Sequence, residues 1–254
     1  MIKKLLLMLV TTMQVACAHP PSVPVLTYHR VSPDTTKPSP EDVQITRFEE
    51  HLKMMKDQGY KTLTVTELVT LMKSKQPMPS RAVVLTFDDG WQSNIKAQRL
   101  LAKYNHKGTF YIVSGMLDTP IYLTTAELRQ LAASPHVEIG AHSHTHFLPW
   151  ATALETLDSN IVIGEMRKSK ALIEDIIKKP VKSFAWPFGH IYPRARNVAS
   201  SMGYTSIVEI NRFSLNEKNV SPLQVQRLNI DGRCTAAQVQ KMIDTGALNK
   251  CNGN

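Results

Sequence analysis

Short apolar runs alternate with amphipathic segments along most of this chain. Runs rich in β-branched and aromatic residues predict strands, and the amphipathic stretches predict helices between them. The predicted strands cover residues 23–28, 62–65, 82–87, 109–113, 137–140, 183–186, 205–208 and 225–228. The predicted helices cover residues 46–58, 66–73, 93–104, 153–179 and 236–242, and another begins near residue 124. This alternation indicates an α/β protein, and about seven parallel strands in one chain of this length predict a (β/α) barrel built as a single domain.

Two helix starts have a specific signal. Thr46 and Glu49, and again Thr124 and Glu127, have the spacing of a capping box. Gly59 is expected to end the first of these helices, because glycine adopts the left-handed conformation that helix ends favour.

The composition is that of an ordinary globular protein, with 43% hydrophobic and 20% charged residues among 254. The net charge of +9 at pH 7 would suit an anionic partner. However, no dense Lys/Arg cluster with interleaved aromatic residues is present. We therefore expect a basic solubilising surface, no nucleic-acid partner and a monomer.

The first 18 residues have the features of an export signal, since Lys3 and Lys4 precede a short apolar run. Cleavage after Ala18 would follow the ordinary small-x-small pattern, whereas cleavage before Cys17 would leave a lipidated cysteine that attaches the protein to a membrane. Both routes stay open. The mature domain would then cover residues 19–254, and the protein is expected in the periplasm, at the outer membrane or at the cell surface.

Either route removes Cys17 from the pool of cysteines that can pair. Cys234 and Cys251 then remain as an even pair in an oxidising compartment. A disulfide and two free thiols are both compatible with this count.

Polar groups follow four of the predicted strands directly. His29 follows the first strand, Asp88 and Asp89 follow the apolar run that begins at Val83, and three histidines follow the strand near residue 139. The turn Pro187-Phe188-Gly189 follows a fourth strand. The carboxyl ends of parallel barrel strands meet at one rim, where active sites lie, so we expect these groups to share one site.

The segment "GAHSHTHFLPW" contains His142, His144 and His146. In an extended conformation all three side chains would share a face, whereas in a helix His142 and His146 would share a face without His144. Imidazole and carboxylate together suit zinc or a similar divalent ion. Asp89 could complete such a site, which would leave Asp88 free to take a proton from the attacking water.

"TFDDG" (residues 86–90) and "HSHTH" (residues 142–146), about fifty residues apart, resemble the motifs of the NodB-homology polysaccharide deacetylases, carbohydrate esterase family four. The resemblance covers about residues 23–235. It implies a distorted, incomplete (β/α) barrel and a metal-dependent hydrolase that removes acetyl groups from polysaccharides. It also implies that Asp88 is the catalytic base and that Asp89, His142 and His146 hold the metal, with zinc as the expected ion. The backbone N–H of Phe188 would bind the developing oxyanion.

Two positions depart from the usual family pattern. Ala185 stands where an arginine commonly orients the base, and Asn229 stands where a late histidine commonly serves as the general acid. The early "PVLTYHRV" places His29 after a strand instead, which resembles the circularly permuted branch that deacetylates poly-β-1,6-N-acetylglucosamine in biofilm exopolysaccharide. His29 is therefore the predicted acid, with a structural strand end as the alternative.

We thus predict removal of N-acetyl groups from an extracellular or cell-envelope polysaccharide, such as poly-β-1,6-N-acetylglucosamine. The alternatives are deacetylation of peptidoglycan, a chitin-type or an O-acetylated glycan, hydrolysis of a small amide, and glycan binding without catalysis. A metallo-β-lactamase-type site is disfavoured, because Thr145 stands where that motif needs an aspartate. Trp150, Trp186 and Tyr192 are candidates for stacking on sugar rings, with core packing as the alternative for each.

Overall fold

A computed structural model describes residues 22–146, 159–189, 193–214, 216–217 and 220–251. Seven parallel strands form a closed ring in the order β1-β5-β6-β7-β8-β9-β10 and back to β1. β4 pairs with the first half of β5 outside this ring, and β2 and β3 form a separate parallel pair. The predicted fold class, a distorted (β/α) barrel of about seven parallel strands, is confirmed. One departure from a regular barrel lies between β9 and β10, where the helical element among the described residues is a short 3-10 turn at Pro222–Gln224.

The elements have the following bounds. The strands are β1 Val25–Tyr28, β2 Arg30–Ser32, β3 Asp42–Gln44, β4 Lys61–Leu63, β5 Ala82–Phe87, β6 Gly108–Ile112, β7 Val137–Ala141, β8 Ser183–Ala185, β9 Ser206–Ile210 and β10 Val225–Asn229. The helices are α1 Ile45–Asp57, α2 Val65–Lys73, α3 Asn94–Tyr104, α4 Thr125–Ala133, α5 Ser159–Ile177, α6 Pro193–Ala199 and α7 Ala236–Thr245.

Most of the helices cover the outside of the barrel, where a large apolar core separates them from the strands. The α1 helix shows the principle, because Phe48, Leu52 and Met55 recur at helical spacing and are fully buried on the side facing the strands. Burial of each such side chain contributes about 1.5–3 kcal/mol.

The α2 helix closes the amino-terminal end of the barrel. Its apolar side belongs to a second core, which it shares with inward-facing residues of several strands, including Val25 and Val84. The backbone N–H of Val65 donates to Thr109 Oγ1 at 3.0 Å, and that of Thr66 donates to a Glu138 carboxylate oxygen at 3.0 Å. The opposite end of the barrel, where the strands terminate, is therefore the end that is left to form a cleft.

Several local expectations are tested by these elements. The capping box of Thr124 and Glu127 is present, but α1 begins at Ile45, and the Thr46 hydroxyl instead donates to Asp34 Oδ1 at 2.7 Å. The capping box predicted at Thr46 is therefore wrong. Gly59 has φ 73°, as expected at the end of α1.

A disulfide joins Cys234 and Cys251, whose Cα atoms lie 4.7 Å apart. It connects the loop before α7 to the segment after that helix, so it fixes both ends of α7 relative to each other. Cys17 and the predicted export signal lie outside the described residues. Within the described parts of the chain, none of the helices combines the length and apolar character that a membrane span requires.

Candidate active site

The two aspartates leave β5 through a turn that separates their side chains. Asp89 has φ 75° and Gly90 has φ 79°, so two consecutive residues adopt the left-handed conformation. That conformation costs an aspartate roughly 1–2 kcal/mol. The Asp88 N–H donates to the Tyr28 carbonyl at 2.9 Å, which keeps Asp88 in register with β1. The strained turn directs Asp88 into the barrel mouth and Asp89 toward the histidines that follow β7.

The histidine segment is neither extended nor helical. Ser143 has φ 63° and His146 has φ 49°, and the His146 N–H donates to Ser143 Oγ at 3.0 Å. This turn brings the His142 and His146 rings to a centroid distance of 4.9 Å. His144 points away and shares a hydrogen bond of 2.9 Å with Ser114 Oγ. The pair that the helical alternative favoured is thus the pair that converges, although a turn brings it together.

Asp89, His142 and His146 bring three potential metal ligands together. Asp89 Oδ1 lies 3.4 Å from His142 Nε2 and 3.6 Å from His146 Nε2, and the three ligand atoms lie within 4.8 Å of one another. Two imidazoles and one carboxylate are a donor set typical of catalytic zinc and related divalent ions. The residues present therefore fit a divalent metal with coordination positions left for water and substrate.

Neighbouring groups orient these three side chains. Trp91 Nε1 donates to Asp89 Oδ2 at 2.9 Å, which leaves Oδ1 to face the histidines. The contact between His142 Nδ1 and the Ala185 carbonyl is 2.9 Å, and the carbonyl can only accept. Nδ1 must therefore carry the proton, which leaves the Nε2 lone pair for a metal.

Glu165 on α5 holds the loop between the two histidines. Its Oε2 accepts from the backbone N–H groups of His144 and Thr145 at 3.0 and 2.7 Å, and from the Thr145 hydroxyl at 3.0 Å. Gly115 is needed on the other side, because a Cβ there would come within 2.6 Å of the His144 carbonyl oxygen. The loop is thus fixed between α5 and the segment after β6.

Burial and nearby charges shift the pKa values of His142 and His146 in opposite directions. Burial disfavours the charged form of His142, but the Asp88 and Asp89 carboxylates outweigh burial and raise the pKa of His142 above its ordinary value. Burial, helped by the charge of His142, lowers the pKa of His146 to about 4. Because a metal needs both imidazoles neutral, its binding would release the proton that His142 tends to hold.

Asp88 forms a buried ion pair with Arg227 of β10. Arg227 Nη1 and Nη2 donate to the two Asp88 carboxylate oxygens at 2.7 and 2.8 Å, and Nη1 also lies 3.1 Å from Thr86 Oγ1. Burial alone would raise the pKa of Asp88, but the charge of Arg227, aided by His142, holds the pKa below its usual value. Asp88 is therefore ionised and oriented beside the three-ligand cluster.

Ala185, on β8, stands where an arginine was expected to orient Asp88. In this structure the guanidinium of Arg227, on β10, contacts the Asp88 carboxylate instead. Sequence reasoning missed Arg227. The available signal was a charged residue in the middle of a predicted strand, two positions before Asn229 and so on the same face of β10.

His29 faces the same cleft as the two aspartates. It follows β1, which pairs with β10 so that Thr27 lies opposite Asn229. His29 and Asn229 therefore stand at the ends of neighbouring strands, and both line the cleft. Burial raises the pKa values of both aspartates, whereas the charges and hydrogen bonds of neighbouring groups lower them, with His29 among the smaller of these contributions.

Phe188 lies in a tight turn at the end of β8. Its φ is 57°, an unfavourable conformation for an aromatic residue, and its ring packs against His146 at a centroid distance of 4.7 Å. Gly189 is required next to it, because a Cβ would meet Ile210 Cβ at 2.5 Å. The turn thus presents Phe188 at the edge of the cleft beside one of the three potential ligands.

The cleft has a volume of about 500 Å³ and brings together every residue predicted for catalysis or metal binding. Those six residues are His29, Asp88, Asp89, His142, His146 and Phe188. Of the candidates for stacking on sugars, Trp186 is fully buried, which agrees with the core-packing alternative, and Trp150 and Tyr192 lie outside the described residues. Trp91 and Tyr122, which stack at 4.4 Å, line the cleft and were not predicted.

A parallel barrel with a potential His-His-Asp metal site and a separate ionised carboxylate at its carboxyl-terminal rim defines a hydrolase-type active site. Comparison with known families makes this specific. Residues 75–207, just over half of the chain, match the family described as "Polysaccharide deacetylase". The chain belongs to the polysaccharide deacetylase family, which confirms the predicted resemblance.

Curated relatives are similar at low identity. The Bacillus subtilis (strain 168) protein YxkH, whose name also refers to polysaccharide deacetylation, is 28% identical over 187 residues, which cover 73% of this chain and 63% of that protein. The poly-β-1,6-N-acetyl-D-glucosamine N-deacetylase of Staphylococcus aureus (strain MSSA476) is 26% identical over 189 residues, with 71% and 63% covered. The chain therefore spans less than two thirds of the length of these relatives.

Solved structures share the fold. IcaB from Ammonifex degensii superposes with a TM-score of 0.78 at 20% identity, covering 88% of this chain and 97% of that one. The Streptococcus pyogenes deacetylase PplD, in complex with acetate, superposes with a TM-score of 0.76 at 21% identity, covering 89% and 99%. At these identities the likeness shows a common fold.

Proposed function

We propose that this protein removes N-acetyl groups from an extracellular or cell-envelope polysaccharide, and that the polysaccharide is poly-β-1,6-N-acetylglucosamine. The observation that best supports the proposal is that the cleft contains both a potential metal site and a separate carboxylate. Asp89, His142 and His146 gather their ligand atoms within 4.8 Å, while Asp88 beside them is oriented by Arg227. A metal-assisted hydrolysis needs both a cation site and a separate base.

The residues of the cleft fit the steps of amide hydrolysis. A divalent ion at Asp89, His142 and His146, which we infer to be zinc, would polarise the acetyl carbonyl and lower the pKa of a water molecule. Asp88 takes the proton from the attacking water. The N–H of Phe188 binds the oxyanion that develops at the carbonyl oxygen. His29 then gives its proton to the leaving amine, which releases acetate and a free glucosamine unit.

We propose poly-β-1,6-N-acetylglucosamine as the substrate because of the position of His29, the predicted general acid. His29 directly follows β1, whose neighbour β10 ends at Asn229, and both residues line the cleft. This position supports the proposal that His29 replaces the histidine that the late strand lacks. Staphylococcus aureus and Escherichia coli relatives named as poly-β-1,6-N-acetyl-D-glucosamine N-deacetylases match this chain at 26% and 24% identity. Peptidoglycan, chitin-type and O-acetylated glycans are the alternative substrates, and hydrolysis of a small amide is a further alternative.

The location of the protein is part of the proposal. Such a polymer lies outside the cytoplasm, which agrees with the predicted export signal in residues 1–18. Attachment to a membrane through a lipidated Cys17 would keep the enzyme near the polymer as it is secreted.

A panel of acetylated substrates tests the proposal. We expect the zinc-loaded protein to release acetate, detected by mass spectrometry, from poly-β-1,6-N-acetylglucosamine faster than from chitin oligomers, peptidoglycan, acetylated xylan or monomeric N-acetylglucosamine. Faster release from another polymer would reassign the substrate within the family. Release from the monomer alone would contradict the polysaccharide assignment and favour a small-amide hydrolase.

A further inference from the structure

A second cavity adjoins the catalytic cleft. It has a volume of about 660 Å³ and lies on the side of β10, and Asn229 lines both it and the cleft. Pro40 lines the second cavity while the next residue, Glu41, lines the cleft, so the loop before β3 borders both as well. A ligand that extends past Asn229 from the catalytic cleft would therefore enter the second cavity.

The outer wall of this cavity is a fixed piece of structure. α7 ends at Thr245, and the next residue, Gly246, has a φ of 62° and turns the chain back toward β9. Ser214 N–H then donates to the Gly246 carbonyl at 2.8 Å, and Leu248 N–H donates to the Arg212 carbonyl at 2.9 Å. The disulfide between Cys251, which lines the cavity, and Cys234 ties the end of the segment. We call residues 246–251 the C-terminal wall.

Exposed apolar side chains line the cavity between the C-terminal wall and β10. Phe213 is 54% exposed and Leu248 is 48% exposed, so two large apolar side chains are presented together in one cavity. Hydrogen-bonding groups accompany them, including Asn249 and Asn229. A pyranose ring matches such a mixture, because its C–H face packs against an aromatic ring while its hydroxyls need polar partners.

The side-chain oxygen of Asn229 is a second indication that a ligand binds where the two cavities meet. Within the described part of the chain its Oδ1 is buried and has no hydrogen-bond partner. A buried polar atom without a partner is uncommon and needs an explanation. A sugar hydroxyl that passes from one cavity to the other could donate to this oxygen.

We infer that the second cavity is a subsite for the sugar units that neighbour the acetylated unit being hydrolysed, with Phe213 as its stacking platform. This inference rests on the proposed function and deepens it. It assigns the enzyme a preference for chains longer than the catalytic cleft can hold. Because the C-terminal wall is fixed by backbone hydrogen bonds and a disulfide, the subsite is preorganised, and little ordering cost opposes binding there.

The test compares chain lengths. We expect wild-type kcat/KM to be higher on the β-1,6-linked N-acetylglucosamine hexamer than on the dimer. Phe213→Ala should lower kcat/KM on the hexamer roughly tenfold and leave the dimer unchanged, and Phe213→Trp should restore the hexamer. Leu172→Ala, at another exposed apolar residue, on α5, is the matched control and should change neither. No loss in Phe213→Ala, or an equal loss on both substrates, would overturn the subsite.

A binding measurement separates this inference from the proposed function. If the wild type releases no acetate from either oligomer, the proposed function fails, and calorimetric titration with the hexamer then decides the subsite alone. Weaker hexamer binding by Phe213→Ala than by wild type and Leu172→Ala supports the subsite. Equal binding by all three variants, or no binding by the wild type, overturns it.

Discussion

The ion pair between Asp88 and Arg227 is the most constrained contact of the site. Arg227 is fully buried and Asp88 is 2% exposed, so neither charge is solvated by water. Removing one partner from such a pair typically costs 3–5 kcal/mol, because the other charge is left buried without compensation. The pair therefore links the stability of the barrel to the orientation of the Asp88 carboxylate.

A double-mutant cycle tests this link. We expect Arg227→Met to lower the free energy of unfolding by about 3–5 kcal/mol, measured by urea denaturation. In Asp88→Asn/Arg227→Met the loss should be much smaller, because no buried charge remains. Simple addition of the two single-mutant losses would show that the residues do not act as a pair.

The proposal that this protein resembles the circularly permuted branch of the family depends on His29. Asn229 cannot donate a proton to the leaving amine, whereas the imidazole of His29 can, and both line the cleft. We expect His29→Ala to keep the fold and the metal but to lower kcat on an N-acetyl substrate by about 10²–10⁴-fold.

An ester substrate provides the internal control for His29. Its alcohol leaving group needs less help from an acid, so His29→Ala should slow ester hydrolysis much less than amide hydrolysis. Equal losses on both substrates would indicate a structural role for His29, and unchanged amide turnover would exclude it as the acid.

At the scale of elements, α5 positions the site without contributing to it directly. Glu165 accepts three hydrogen bonds from residues 144 and 145, so it fixes the loop that carries His146. Outer groups of this kind typically change metal affinity 10–100-fold. On the α5 side one carboxylate holds the loop, so a single substitution can remove the contribution of this helix.

We expect Glu165→Ala to weaken zinc binding by about 10–100-fold, measured by competition with a chelating dye. Asp175→Ala is the matched control, because Asp175 lies on the same helix but is exposed and pairs with Lys178. If Glu165→Ala bound zinc as tightly as the control, the loop would not depend on α5 for its conformation.

The elements also show what the sequence could predict. β5 was predicted at its observed bounds, because a short, mostly apolar run between polar segments is typical of a buried strand. The short strands β2 and β3 were missed, since each has a single apolar residue, Val31 or Val43, between polar neighbours. The turn through Ser143 was missed because nothing in hydrophobic periodicity reports a left-handed serine. Arg227 was missed because its partner, Asp88, is 139 residues away in the chain.

At the scale of the whole molecule, barrel topology explains why so much of the site could be predicted. All seven ring strands run parallel, so groups that follow different strands meet at one rim regardless of their separation in sequence. The same topology brings His29 and Asn229 into one cleft, because the first and last strands of the ring are neighbours.

The central claim is that the two adjacent aspartates have different roles, with Asp89 a metal ligand and Asp88 the base. Side-by-side measurement of zinc content and acetate release in Asp88→Asn and His142→Ala tests it most directly, with His144→Ala as the control for a histidine outside the cluster. We predict that Asp88→Asn keeps stoichiometric zinc and loses about 10²–10⁴-fold in rate, that His142→Ala loses both, and that His144→Ala keeps zinc. Loss of zinc in Asp88→Asn, or retention of stoichiometric zinc in His142→Ala, would contradict the account.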